Sequence, residues 1–70
     1  MRMTFPAKQV GTRIRQSRVS QGYLQRELAD AARLPLRTIG RIERGEVDVR
    51  LSTLAKIAKA LRVPLKELLP

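Results

Sequence analysis

The sequence contains no cysteine, no histidine and no tryptophan. Without cysteine there can be no disulfide, and without cysteine and histidine the ligands of an ordinary zinc site are missing. The same absences remove the thiolate nucleophile and the side chain that most often acts as a general base. We therefore do not expect an enzyme, and we expect neither a metal nor a cofactor.

Long apolar runs are also absent. No stretch approaches the ~20 apolar residues of a membrane span. The first six residues lack the continuous apolar region of a signal peptide. A cytoplasmic protein is expected, associated with the nucleoid if it binds DNA. A length of 70 residues predicts one small domain with a thin core.

Acidic residues are scarce. The sequence has 6 aspartates and glutamates against 15 lysines and arginines, which gives a net charge of +9. This excess indicates a polyanionic partner, either nucleic acid or an anionic membrane surface. An apolar fraction of 43% is too high for a disordered basic tail. Only Phe5 and Tyr23 are available to stack unpaired RNA bases, and no segment has the basic and apolar faces of a membrane-surface helix. Double-stranded DNA is therefore favoured.

Apolar residues at helical spacing, interrupted by glycine and proline, predict an all-α fold without strands. Residues 1–7 are predicted to form a flexible arm and residues 8–70 the domain. The predicted helices run from Lys8 to the stop at Gly22, from about Gln25 to Ala32, from about Leu36 (directly after Pro35) to about Arg44, from an N-cap at Asp48 through Leu61, and from Leu65 to Leu69. The predicted inner faces comprise Val10, Ile14, Leu28, Ala29, Ala32, Ile39, Ile42, Leu51, Leu54, Ile57, Ala58 and Leu61.

The third helix carries arginines on the side opposite its apolar residues. Arg37, Arg41 and Arg44 are spaced i, i+4, i+7 and form one stripe. A guanidinium reads guanine O6 and N7 with two hydrogen bonds and also binds phosphate. The stripe is therefore typical of a helix that enters the major groove, although a solvated helix face is the alternative. Gly40 lies within the stripe at a cost of about 1 kcal/mol relative to alanine. It predicts either close approach to DNA or close packing against another helix.

Two segments resemble the Xre family of lambda-repressor-like helix-turn-helix proteins, QRELA at residues 25–29 and RTIGRIERG at 37–45. The fourth and closing helices of that family are matched by 51–61 and 64–69, so the resemblance spans about residues 9 to 69. EVDVRL at 46–51 also resembles the linker of small controller proteins of restriction–modification systems. The resemblance implies a compact five-helix domain that regulates transcription as a homodimer on a palindromic operator. An antitoxin-type module that binds a toxin and its own promoter is the alternative.

The resemblance also implies roles for single residues. Base edges would be contacted by Leu36, Arg37, Gly40 and Arg41, and the DNA backbone by Gln25, Thr38 and Arg44. Arg18 would pair with Glu43 and tie the recognition helix to the first helix. Leu65, Leu68 and Leu69 remain either a dimer face or ordinary core.

The sequence departs from the family pattern in three respects. Leu24 replaces the usual Ser or Thr N-cap, which predicts a loss of ~1 kcal/mol for the second helix. Arg33 replaces the usual glycine of the turn and is strained if its φ is positive. Pro35 and Leu36 replace a polar pair at the start of the third helix, so we expect an apolar contact there, for example with a thymine methyl.

Overall fold

Four α-helices build the part of the chain that this computed structural model describes, residues 4–70. In chain order the elements are β1 (Thr4–Phe5), α1 (Ala7–Ser20), α2 (Gln25–Ala32), α3 (Leu36–Glu43), β2 (Val49–Arg50), α4 (Leu51–Leu61) and a closing 3₁₀ helix (Leu65–Leu68). The predicted helical fold class is confirmed. Within residues 4–70, none of these helices has the length and apolar character needed to cross a membrane.

The predicted fifth α-helix is instead a four-residue 3₁₀ helix, Leu65–Leu68. Its hydrogen bonds run from Glu67 N to the Pro64 carbonyl and from Leu69 N to the Lys66 carbonyl, at 3.0 and 3.2 Å. Both join residues three apart, which is the 3₁₀ pattern. The segment between Pro64 and Pro70 is too short for the α-helical bonds to become cooperative.

A two-residue ladder stands where the sequence predicted no strand. Thr4 and Phe5 pair antiparallel with Arg50 and Val49. Strands this short have no alternation that a sequence pattern could reveal. Residues 1–3 of the predicted arm lie outside the described residues, and the division at residue 8 stays a prediction.

The predicted N-cap of α4 at Asp48 is wrong. The helix begins at Leu51, and Arg50 takes the N-cap position with φ −72° and ψ 151° and no side-chain cap. Because Val49 and Arg50 pair with β1, their backbone is extended and the helix cannot start earlier.

The core is apolar and joins all four α-helices. Its buried hydrophobic residues are Val10, Ile14, Leu28, Ala29, Ala32, Ile39, Ile42, Val49, Leu54, Ile57, Ala58, Leu61 and Leu68. Every predicted inner residue is among them except Leu51, which is half-buried. Leu68 belongs to the core, and Leu65 and Leu69 pack against it while partly exposed.

All four α-helices end with the same pair of backbone hydrogen bonds. At the end of α3, Gly45 N donates to the Ile42 carbonyl and Glu46 N to the Arg41 carbonyl, both at 3.0 Å. This is the Schellman arrangement, which needs one residue with positive φ. Glycine fills that place after α1 and α3, whereas Arg33 (φ 57°) and Arg62 (φ 58°) fill it after α2 and α4. A left-handed arginine costs roughly 1–2 kcal/mol, and Arg62 is a case that the sequence analysis did not single out.

Candidate nucleic-acid interface

The helix-turn-helix is formed by α2, the turn at residues 33–35 and α3. The left-handed Arg33 lets Leu34 N donate to the Ala29 carbonyl at 2.9 Å, which closes α2. Pro35 then starts α3 with φ −60° and ψ 144°. Because Ile39 and Ile42 are buried on one side of α3, the opposite side is turned outward.

Close approach to α1 fixes the position of α3. A β-carbon on Gly11 would collide with the carbonyl oxygen of Ile42 and lie 3.0 Å from that of Glu43. Glycine is therefore required at this crossing. The sequence analysis did not single out Gly11, although an isolated glycine between the buried Val10 and Ile14 was a usable signal.

Arg18 and Glu43 form a two-pronged ion pair between α1 and α3. Arg18 Nε donates to Glu43 Oε2 at 2.6 Å and Arg18 Nη2 donates to Oε1 at 3.0 Å, while Nη1 donates to the Tyr23 carbonyl at 2.7 Å. The two side chains are only 12% and 2% exposed. The structure thus brings together the two residues expected to support α3, with every charge paired.

Gln25, expected on the DNA backbone, takes part in the same network. Its Nε2 donates to Glu43 Oε1 at 3.1 Å, which links the first residue of α2 to the last residue of α3. Glu27 compensates in part for the missing N-cap, because its carboxylate accepts a hydrogen bond from Leu24 N at 2.8 Å. The leucine side chain has no acceptor, so α2 has only this half of a capping box.

The outer side of α3 presents most of the predicted contact residues. Leu36 is 42% exposed, Arg37 is exposed, and the side chains of Arg41 and Arg44 are 46% and 58% exposed. Two predicted contact residues are less accessible: Thr38 is half-buried and Gly40 is buried.

Gly40 is covered by the side chain of Arg44. A β-carbon on Gly40 would lie 3.0 Å from Nη1 of Arg44 and 3.8 Å from its Cζ, with no backbone of another element among these neighbours. The sequence predicted either close approach to DNA or close packing of Gly40 against another helix. These contacts do not support packing against another helix.

Glu46 was not predicted from the sequence to belong to the site. Its Oε2 accepts a hydrogen bond from Arg44 Nε at 2.6 Å, and its Oε1 lies 3.8 Å from Arg41 Nε. The bond from Arg44 lowers the pKa of the Glu46 carboxyl and raises the pKa of the Arg44 guanidinium. The available signal was a carboxylate directly after Gly45, the glycine that follows α3. Its partners Arg41 and Arg44 lie earlier in the chain, and spacing along the sequence does not indicate that they meet it.

Arg15 was also missed as a candidate contact. It lines a shallow polar recess of about 240 Å³ together with Arg18, Gln25, Glu43 and Arg44. The recess lies where α1, the start of α2 and the end of α3 meet. Arg18 pairs with Glu43 and Arg44 pairs with Glu46, and Arg15 adds a further guanidinium group to the lining of the recess.

The fold and the arginine-bearing outer side of α3 define a helix-turn-helix domain. Residues 14–68 match the helix-turn-helix family HTH_3. The chain belongs to this family, which confirms the resemblance to Xre proteins seen in the sequence.

Curated relatives include the transcriptional regulator ClgR of Mycobacterium tuberculosis (strain CDC 1551 / Oshkosh). The two are 40% identical over 60 residues, which cover 86% of this chain and 54% of ClgR. The chain thus spans about half the length of the curated relatives it matches.

Solved structures with the same fold include the restriction–modification controller protein C.AhdI from Aeromonas hydrophila. It is 35% identical with a TM-score of 0.83, and the match covers 86% of this chain and 91% of that one. The clp gene regulator ClgR from C. glutamicum is 28% identical with a TM-score of 0.88, covering 91% and 83%. Both similarities extend over nearly the whole of this chain.

Proposed function

We propose that the protein is a transcriptional regulator that binds a palindromic DNA operator as a homodimer. The observation that carries this proposal is the exposed arginine side of α3, held in place by a buried ion pair on its other side. A rigid helix with outward guanidinium groups suits the major groove, where base edges are read. The names of the matched relatives, a transcriptional regulator and a restriction–modification controller protein, agree with it.

The proposed contacts fall into two groups. Base edges are read by Leu36, Arg37, Gly40 and Arg41, and the DNA backbone is held by Gln25, Thr38, Arg44 and Arg15. The first group lies along α3 and includes Leu36, whose exposed apolar side chain fits a thymine methyl. In the second group, Arg15, Gln25 and Arg44 line the polar recess, where guanidinium and amide groups favour phosphate.

Selection of bound duplexes from a random pool tests the proposal directly. We expect an enriched palindrome with half-sites about one helical turn, ~34 Å, apart. Size measurement of the complex should give two chains per duplex. A pool without any enriched sequence contradicts sequence-specific regulation. Co-purification of a second protein from the same operon, in place of a homodimer, favours the antitoxin alternative.

Arg41→Ala separates base reading from general attraction. We expect a loss of ~1–3 kcal/mol on the selected site and relaxed preference at one base position. Lys59→Ala removes the same charge from an exposed position on α4 and should weaken selected and random duplexes alike. If Arg41→Ala also weakens both equally, Arg41 contacts only phosphate.

A further inference from the structure

Arg44 is folded back along the outer side of α3. Its guanidinium lies over Gly40. Nη1 of Arg44 is 3.0 Å from the position that a β-carbon on Gly40 would take. The Glu46 carboxylate holds it by a 2.6 Å hydrogen bond to Nε and lies 3.8 Å from Nε of Arg41. One carboxylate therefore neutralises part of the charge of two guanidinium groups on the proposed DNA-binding side.

The backbone around Glu46 is held in place, which sets where this side chain begins. Glu46 N donates to the Arg41 carbonyl at 3.0 Å as the second bond of the helix-ending pair. Gly45 before it packs against α1, since a β-carbon there would lie 2.9 Å from Cα of Lys8. The position of Glu46 is thus set by the end of α3 and by α1.

The charge of Glu46 opposes DNA binding at this surface. The hydrogen bond from Arg44 lowers the pKa of the carboxyl, so it is ionised at neutral pH. Its side chain is 47% exposed, next to arginines expected on phosphates and bases. A phosphate approaching Arg44 meets both a guanidinium that is already paired and a like charge beside it.

We propose that Glu46 is an autoinhibitory residue that competes with DNA for Arg41 and Arg44 and so limits the affinity for DNA. This rests on the proposed function. On any duplex, the two guanidinium groups must give up this carboxylate before they can contact phosphates, and that loss weakens binding. On the cognate site, guanine and phosphate acceptors replace the carboxylate, and Arg44 swings away from Gly40.

Glu46→Gln tests this, with Glu67→Gln as the matched control. Both substitutions remove one negative charge from an exposed side chain, and Glu67 lies on the 3₁₀ helix, outside α3. We expect Glu46→Gln to raise affinity about five- to tenfold for a random-sequence duplex and at least as much for the selected site, because the carboxylate must be displaced on both. The slope of log K against log salt on random DNA should steepen by about 1. Glu67→Gln should change each quantity much less.

A double-substitution cycle asks whether Glu46 acts through the guanidinium groups. Glu46→Gln is repeated in an Arg44→Ala, Arg41→Ala background on random DNA. Since the groups it competes for are then gone, its effect should fall to that of Glu67→Gln. A full effect that persists there makes Glu46 a general repulsive charge and overturns the proposal.

Two other results also overturn it. The first is an equal change in affinity for random DNA in Glu46→Gln and Glu67→Gln. The second is a lower affinity of Glu46→Gln than of the parent protein for the selected site. The random-duplex comparison needs no enriched sequence, so a failed selection counts against the proposed function alone. Thermal melting should show both variants folded, because exposed substitutions change stability by about 0.5 kcal/mol or less.

Discussion

The two sides of α3 differ in how their charged groups are held. On the inner side, Glu43 is 2% exposed at its side chain and accepts hydrogen bonds from Arg18 and Gln25. On the outer side, Arg41 and Arg44 share one half-exposed carboxylate. Leaving a buried charge unpaired costs roughly 3–5 kcal/mol, whereas an exposed pair is worth ~0–1 kcal/mol. The inner side is therefore fixed, and the outer side can exchange partners.

The same eight-residue helix thus has one side that stabilises the fold and another that is proposed to contact DNA. Residues 4–70 contain no buried side-chain nitrogen or oxygen atom without a hydrogen-bond partner, so the inner network is complete without DNA. Substitutions there should change the free energy of unfolding first. Substitutions on the outer side should change DNA binding at nearly constant stability.

The largest loss is expected for Glu43→Gln. The neutral amide leaves the guanidinium of Arg18, whose side chain is 12% exposed, without its counter-charge. We expect the free energy of unfolding to fall by about 2–3 kcal/mol, measured by urea unfolding. In a domain of this size that lowers Tm by roughly 10–20 °C.

Glu67→Gln, an exposed carboxylate, is the control and should stay within about 0.5 kcal/mol of the parent. If Glu43→Gln costs no more than this control, the inner side is held by apolar packing alone, and the contrast between the two sides disappears.

Gly11→Ala should cause the next largest loss. The added β-carbon meets the backbone carbonyls of Ile42 and Glu43, so α1 and α3 must separate. We expect a net loss of about 2 kcal/mol, because the steric cost exceeds the helix-propensity gain of about 1 kcal/mol. Thr12→Ala, exposed on the same helix, gains propensity without a clash and should not destabilise the protein. A Gly11→Ala variant as stable as Thr12→Ala would mean that the crossing relaxes easily.

Periodicity predicted the part of the fold that repeats along the chain. The bounds of α2 and the buried pair Ile39 and Ile42 follow from spacing and from the flanking proline. Non-local pairing is invisible to such patterns, which is why Asp48 was wrongly assigned as the N-cap of α4. The extended Val49 and Arg50 depend on β1, some 45 residues earlier in the chain.

The site was predictable to a similar degree. The outward stripe of α3 follows from i, i+4, i+7 spacing, but the pairing of Arg18 with Glu43 came only from the family resemblance. Glu46 lies beyond the end of the helix, where helical spacing no longer indicates which side chains meet. The isolated Gly11 signals a close approach somewhere along α1, but no pattern within α1 indicates that α3 is the element in contact.

The smallest effect on stability is expected for Gly40→Ala, and its sign differs from that of Gly11→Ala. The new β-carbon meets only the flexible guanidinium end of Arg44, so the propensity gain should prevail and raise stability by about 0.5–1 kcal/mol. In the proposed complex, the same methyl group stands where α3 approaches DNA. We expect affinity for the selected site to fall about tenfold, or ~1.4 kcal/mol.

One substitution type thus probes the two sides of α3, with urea unfolding and binding to the selected duplex measured on each variant. Gly11→Ala should lose stability, while Gly40→Ala should gain stability and lose affinity. If Gly40→Ala also lost stability, Gly40 would be a packing glycine like Gly11. If it gained stability and kept full affinity, the DNA would not come close to α3 at Gly40, and the outer contacts would be confined to the arginine side chains that extend beyond it.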